Sequence, residues 1–541
     1  MAPSNAHDGT ASTAFPIRQL LVLGICRICE PIAFMSIFPY VYFMIESFHI
    51  TSDANRIALF AGLVTSVFAA AECVGAGFWG NLSDRIGRKP VLLTGLAGTG
   101  VSMIIFGFAP NLAVALFARA LGGALNGNIG VLQTTVNEVV KVKAHQARAF
   151  AVMPTVWCLG SFIGSGLGGA LADPVRNYPS TFQPGTIFDK FPYLLTNLVC
   201  TGVVVFCLIV GFLFMEETHE DKKDRRDLGL EIGDSIIRCF YKDYRRDGLS
   251  NEKDQSLLAD EMAESASETF PLTDDDLPDY TSNAPSPALP AYRSLEATPR
   301  PSLMLLESKN DKIDVEEALS RAEQLVKAKR GVSRAFTKQV MLNILGFGIL
   351  AFHTISAEQL LPVLLSLPKS DIPSHLPFQF MGGFALPTKT IGGILSVQGI
   401  IQMVITIVVF PWVNKRIGSL WSYRCAVLFY PFLYFVVPYV TLLPDALKLP
   451  AVYILLIWKV TSQAFAFPSS SIMLANAAPS SKVLGTLNGA AGAAASGARA
   501  IGPTLSGLVQ SAGLSINTLG LPWWVNAMVA VAGAIVSLFM R

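Results

Sequence analysis

Arg27, Glu30, Glu72, Arg119, His353, Glu358, Lys459 and Arg499 all stand inside long apolar stretches of this chain. A charge in hydrocarbon is costly, so each of these residues is a candidate for function. A carboxylate near a guanidinium in such a place can pair with it, take up a proton and release its partner, which is a chemical basis for proton-coupled movement. The amides Asn126, Gln398 and Gln463 occupy similar stretches and could meet the polar parts of a ligand. A second knot of charge, Asp84, Arg85, Arg88 and Lys89, falls within "GNLSDRIGRKP", where Gly80 and Gly87 permit close approach and a tight turn. An enzyme is not expected. No nucleophile, base and oxyanion-donor set is legible, nor a metal-ligand spacing or a Gly-x4-Gly-Lys-Ser/Thr phosphate loop. We therefore expect no cofactor, no bound metal and no nucleic-acid partner.

The elements that position these residues follow from length and hydropathy. Only 15% of the 541 residues are charged and 52% are hydrophobic. A water-soluble domain carries about 25% charged residues. A hydrocarbon core of ~30 Å needs about 20 helical residues. That ruler places spans 1–6 at 17–45, 57–80, 89–109, 111–139, 145–172 and 191–215. Spans 7–12 fall at 337–367, 390–412, 420–442, 448–476, 482–512 and 519–540. The chain thus divides into a tail, 1–16, a six-helix bundle, 17–215, a central loop, 216–336, and a second bundle, 337–541. The loop is polar, with "LTDDDLPDYTSNAPSPALP" at its centre, and is expected to be mostly disordered. A short helix is expected near 312–330. No cleavable signal pattern opens the chain.

Lys and Arg in the short loops orient the spans. With the N-terminus in the cytoplasm, the inside receives Arg85, Arg88, Lys89, Lys141, Lys143, Arg148, Lys415, Arg416, Arg424 and Lys482. The outside receives Arg56, Arg176, Lys190, Lys369, Lys389 and Lys448. The eight cysteines lie mostly in or beside apolar runs, which argues against a disulfide framework. Two elements repeat between the halves. "DRIG", ending at Gly87, reads against "KRIG", ending at Gly418. Gly164-Ser165 in "GSFIGSGLGG" reads against Gly502-Pro503 in "GARAIGPTLSG". Repeats at matching topological positions indicate a carrier built from paired bundles.

These motifs carry a resemblance. "GNLSDRIGRKP" resembles the loop signature of the major facilitator superfamily, "ARALGG" with Arg119 resembles the fourth-helix arginine motif of its proton-driven members, and "GSFIGSGLGG" resembles its exporters' fifth-helix glycine motif, with Ser165 where Pro is usual. With "FPYVYFMIESFHI" and "FAGLVTSVF", the chain is similar to the twelve-span drug:proton antiporter branch, to fungal members and to plant zinc-induced-facilitator-like carriers. The resemblance covers all but the central loop. It implies an all-α membrane protein of twelve helices in two pseudo-symmetric six-helix bundles, with spans 1, 4, 7 and 10 lining a central cavity. Gly80, Asp84, Arg85, Gly87, Arg88 and Lys89 would form a latch between the halves. In it Asp84 accepts hydrogen bonds from Arg88 and from the N-terminus of span 11, with Glu138 and Arg148 extending the network. Gly160, Gly164, Gly168 and Gly502 would pack helices. By helical rise, Glu30 lies ~20 Å from the inner end of span 1 and Arg119 ~12 Å from the outer end of span 4, so the two are expected at one level and paired. Glu72 competes for the same proton, or pairs with Arg27. Arg27, Asn126, His353, Glu358, Gln398, Lys459 and Gln463 are the candidates for the substrate cavity.

The function expected is a proton-coupled secondary active transporter, a multidrug-efflux antiporter exporting small organic molecules. It would be a monomer in the lipid bilayer with the proton gradient as its energy source, in the plasma membrane ahead of the vacuolar membrane. The competing readings are a carrier of metal chelates or organic acids, and a non-transporting nutrient receptor on the same fold.

Overall fold

The computed structural model describes residues 16–50, 54–126, 128–140, 143–219, 221–223, 225–246, 336–370, 372–479 and 484–541. Among the described residues the secondary structure is helical apart from two isolated bridges, His375–Gln379 and Phe380–Thr518. Among the described residues eight helical runs are long and apolar enough to cross a membrane, and they contain spans 2, 3, 4, 6, 7, 8, 9, 10 and 12.

Three spans depart from continuous helices, each for a local reason. Span 1 is helical over Ile17–Met35 and again over Val41–Ser47. Pro39 in the intervening turn supplies no N–H and disfavours helix at Phe38. Span 4 breaks between Leu112–Leu125 and Asn128–Val139. There Asn126 leaves the helical region at φ −90°, ψ 65° in the sequence "GGALNGN", whose Gly and Asn are weak helix formers. Span 8 passes through a π turn at Ile405–Val409, and the chain then turns at Gly418 into span 9, a separate helix as expected. Gly418 has φ 77° and ψ 163°, and its repeat partner Gly87 has φ 111° and ψ 166°. The "RIG" repeat therefore marks one backbone turn made twice, at positions where only glycine is unstrained.

Glycines set the helix contacts. A methyl group on Gly160, Gly164 or Gly168 of span 5 would run into span 1, at Pro31, Ile32 and Ser36 respectively. Gly502 of span 11 meets span 7 at Ser356 and Phe352 in the equivalent way. The opposite face of span 5 carries Gly169, which meets Thr388 and Gly392 of span 8, and the opposite face of span 11 carries Gly507, which meets Ala58 of span 2. These last two contacts join the halves. They are reinforced where the Pro503 carbonyl abuts Gly62 and the Ser165 carbonyl abuts Gly392. Thr504 N–H donates to Ser66 Oγ at 3.0 Å, Ser396 Oγ donates to the Phe162 carbonyl at 3.0 Å, and Thr65 Oγ1 donates to Gln359 Oε1 at 2.9 Å. All of these contacts lie in the halves of spans 2, 5, 8 and 11 that end at Ile57, Leu171, Thr388 and Ser515. Toward the other end, a methyl group on Gly77 or Gly80 of span 2, or on Gly489, Gly492 or Gly497 of span 11, would meet none of the described residues within 4 Å.

Of the central loop, residues 216–219, 221–223 and 225–246 are described. Within the central loop the described residues include one helix, Leu228–Arg246. Asp227 Oδ1 caps its start through the Gly229 and Leu230 N–H groups, at 2.9 and 3.3 Å. The Arg226 guanidinium holds the Glu231 carboxyl below the usual carboxylate range. Leu228, Ile232 and Ile236, spaced four apart, are exposed along one stripe. The helix expected near 312–330 and the bulk of the central loop lie outside the described residues.

Candidate functional site

Two clusters of charge are buried, one in each half. In the first half, Glu30 and Arg27 form an ion pair within span 1. Arg27 also lies under Trp157 of span 5, 5.8 Å from the ring centre. The expected Glu30–Arg119 pair is not formed. Arg27, one helical turn away on the same face, engages Glu30. Arg119 instead places its guanidinium 4.2 Å from the Phe68 ring centre and 5.9 Å from that of Phe34, and directs Nε at the Val64 carbonyl at 3.4 Å. Aromatic faces and a carbonyl are what a buried cation uses when no anion is in reach.

Glu72 is buried at 6% exposure, and its hydrogen-bond partner is the neutral Asn126, whose Nδ2 donates at 3.3 Å. Among the described residues no ion pair engages Glu72. Arg499, Arg27 and Arg119 are the charges acting on it at longer range. Asn126 stands at the break in span 4, and its Oδ1 is buried without a partner among the described residues. An amide offers both a donor and an acceptor. Asn126 can therefore donate to an ionised Glu72 through Nδ2, or accept from a protonated one through Oδ1.

In the second half, Lys459 Nζ lies 2.9 Å from Glu358 Oε1. Gln398 Nε2 donates to Glu358 Oε1 and Oε2 at 3.0 and 3.2 Å, and Gln398 Oε1 accepts from Lys459 at 3.4 Å. This triad ties spans 7, 8 and 10. It gives Lys459, which has no acidic neighbour in sequence, a carboxylate partner from span 7. Gln463, one turn along from Lys459, has a buried Oε1 without a partner. His353 is fully enclosed rather than facing a cavity. Its Nδ1 lies 3.0 Å from the Tyr434 hydroxyl, and its carbonyl accepts from Asn526 at 2.9 Å, so it braces spans 7, 9 and 12. A cavity of about 30 Å³ lies between Leu361, Phe384, Tyr434, Leu456, Lys459 and Trp523. It has room for about two waters and none for an organic substrate.

The charge knot forms a network within the first half. Arg88 Nη1 donates to Asp84 Oδ1 and Ser83 Oγ, both at 2.6 Å, and Arg88 Nη2 and Nε donate to Glu138 Oε1 at 3.0 and 3.2 Å. Sequence reasoning missed two members that follow span 6. Glu217 accepts from the Arg88 and Lys89 N–H groups at 2.8 and 3.2 Å, capping span 3, and Thr218 Oγ1 donates to Glu138 Oε2 at 2.5 Å. The signal available was the pair Glu216-Glu217 directly beyond an apolar run. Ser83 Oγ in turn donates to the Gly80 carbonyl at 2.8 Å, and Lys89 lies 5.8 Å from the Phe212 ring centre. Residues 480–483, at the start of span 11, and the side chain of Arg148 lie outside the described residues.

Paired six-helix bundles that meet at glycine-lined crossings and bury charge in both halves define a membrane carrier of small molecules. The sequence matches the Major Facilitator Superfamily over residues 23–503, and the chain belongs to that family. It is 53% identical over 530 residues to the major facilitator superfamily multidrug transporter mfsB of Aspergillus fumigatus, covering 98% of this chain and 84% of the relative. It is 35% identical over 208 residues to the protein Zinc Induced Facilitator-Like 1 of Arabidopsis thaliana, covering 38% and 43% of the two chains. Its fold is shared with the human organic anion transporter MFSD10, at a TM-score of 0.55 and 15% identity over 97% of this chain and 100% of that one. The protein is an integral, multi-pass membrane transporter.

Proposed function

We propose that this transporter exports small organic molecules in exchange for protons, by alternating access, and that Glu72 carries the proton. Glu72 carries the reading: it is a buried carboxylate bonded to a neutral amide that can serve both of its protonation states. Glu30 is a weaker candidate because Arg27 holds it in a local ion pair. Similarity to a fungal multidrug transporter supports export and supports drugs, toxins or secondary metabolites as cargo. On the orientation set by the loop charges, the joined halves of spans 2, 5, 8 and 11 face outside. The described state is then inward-facing, and the Arg88 network belongs to the inner face. The substrate meets the interior between the two buried clusters, where Gln463 and Asn126 offer unpaired acceptors. The plasma membrane is the expected location.

A second reading concerns cargo. Arg27, Arg119, Arg499 and Lys459 outnumber Glu30, Glu72 and Glu358 among the interior charges. This favours a substrate that carries an acid group, such as an organic acid or a metal chelate. Efflux of a labelled panel of neutral, cationic and anionic compounds from cells, with and without an uncoupler, tests both readings. Uncoupler-sensitive efflux supports the first, and a restriction to anions supports the second. Uncoupler-insensitive efflux contradicts proton exchange.

A further inference from the structure

Spans 2 and 11 run antiparallel and form a V. At its closed end Ala58 meets Gly507, Gly62 meets Pro503, and Ser66 bonds Thr504. The Ser66–Thr504 bond, continued toward the open end, sets Glu72 opposite position 498, beside Arg499, and the Ala58–Gly507 and Gly62–Pro503 contacts set it opposite position 493, about 9 Å along span 11. Beyond them, Gly77 and Gly80 on one arm, and Gly489, Gly492 and Gly497 on the other, meet nothing that a methyl group would touch. Glu72 and Arg499 thus mark the point where the two halves part.

Each side chain at that point is incompletely matched. Arg499 is half-buried, donates Nη2 to Ser496 Oγ at 3.1 Å, and has an Nε without a partner. Glu72 has its bond from Asn126 and no ion pair among the described residues. Its other charged neighbours are committed elsewhere. On span 1, Arg27 is bound to Glu30. On span 4, Arg119 lies against Phe68 and the Val64 carbonyl. From span 7 the polar group bonded to span 2 is Gln359, held by Thr65. Arg499 is the cation that arrives from the opposite bundle.

We propose that Arg499 is the residue through which the second bundle senses the charge of Glu72. When the arms of the V close at the Gly77–Gly492 end, Arg499 reaches an ionised Glu72 and forms an ion pair across the two halves. A proton on Glu72 removes the anion, and the arms part into the state described above. This rests on the reading of Glu72 as the proton carrier and adds the partner that turns its charge into movement. A cross-bundle pair available in one state alone biases the equilibrium by its differential interaction, as any such switch requires.

The test uses the full-length protein in lipid nanodiscs, with spin labels at positions 77 and 492, where side chains have room. Distances are measured by pulsed electron resonance at several pH values. A short distance should grow in at high pH and vanish at low pH. Arg499→Gln and Arg499→Glu should lose the short component at all pH values, Arg499→Lys should retain it, and the exchange Glu72→Arg with Arg499→Glu should restore it. If Arg499→Gln keeps the wild-type response while Glu72→Gln loses it, the role of Arg499 is wrong and Glu72 stands. If Glu72→Gln itself keeps the wild-type response, the reading of Glu72 fails. If the exchange is no better than Arg499→Glu alone, the pair does not form and the proposal is overturned.

Discussion

The Pro503 carbonyl lies against the α-carbon of Gly62, and the Ser165 carbonyl lies against Gly392 in the same way, so one contact between bundles is made twice about the pseudo-two-fold axis. Side chains at either glycine would push the bundles apart. Gly62→Ala should disfavour the state closed at this end by about 1–3 kcal/mol, the usual cost of overpacking. Thiol labelling of a cysteine placed in the outer half of the cavity should rise by roughly tenfold for each 1.4 kcal/mol. Gly80→Ala, in open space in this state, should not raise that labelling.

The Glu358–Lys459 pair should behave as a buried ion pair. Lys459→Ala alone leaves a stranded carboxylate and should cost about 3–5 kcal/mol of stability. Lys459→Met with Glu358→Gln should recover most of that loss, because no charge is then left unmatched. Thermal unfolding in detergent reads both. A double variant less stable than either single one would contradict the pairing.

Glu217 should act as a cap. Glu217→Ala removes the acceptor for the first N–H groups of span 3 and should cost about 1 kcal/mol, visible as a lowered midpoint of unfolding. Glu217→Gln keeps an acceptor and should lose less. Equal losses would mean that the charge, not the cap, matters.

The central loop should be dispensable for the transport step. Its polar composition gives it no apolar surface on which to build a core. Replacing residues 250–310 with a short flexible linker should leave transport per molecule at the membrane unchanged. Lost turnover in a normally folded variant would contradict this.

Much of the architecture was legible before any coordinates. Membrane-length runs located the helices because hydrocarbon thickness sets their length. The "RIG" repeat foretold Gly87 and Gly418 because a left-handed turn demands glycine wherever it recurs. Helical rise gives depth alone, and it put Glu30 and Arg119 near one level. It could not give azimuth, so it missed that Arg27 on the same helix face would take Glu30, while Arg119 turned to Phe68. Lys459 had no partner in sequence because Glu358 comes from a helix distant in the chain. Glu217 was overlooked because its role depends on where span 6 ends relative to span 3.

Glu72 as the proton carrier is tested most directly in proteoliposomes. Asn126→Leu removes a hydrogen bond that favours the ionised carboxylate, so the pH of half-maximal transport should move upward, by about one unit for each 1.4 kcal/mol lost. The decisive variant is Glu72→Gln, which fixes the neutral state. Substrate movement driven by an imposed proton gradient should be lost, while exchange of labelled for unlabelled substrate without a gradient persists. Gradient-driven accumulation by Glu72→Gln, with the pH dependence of the wild type, would contradict the account.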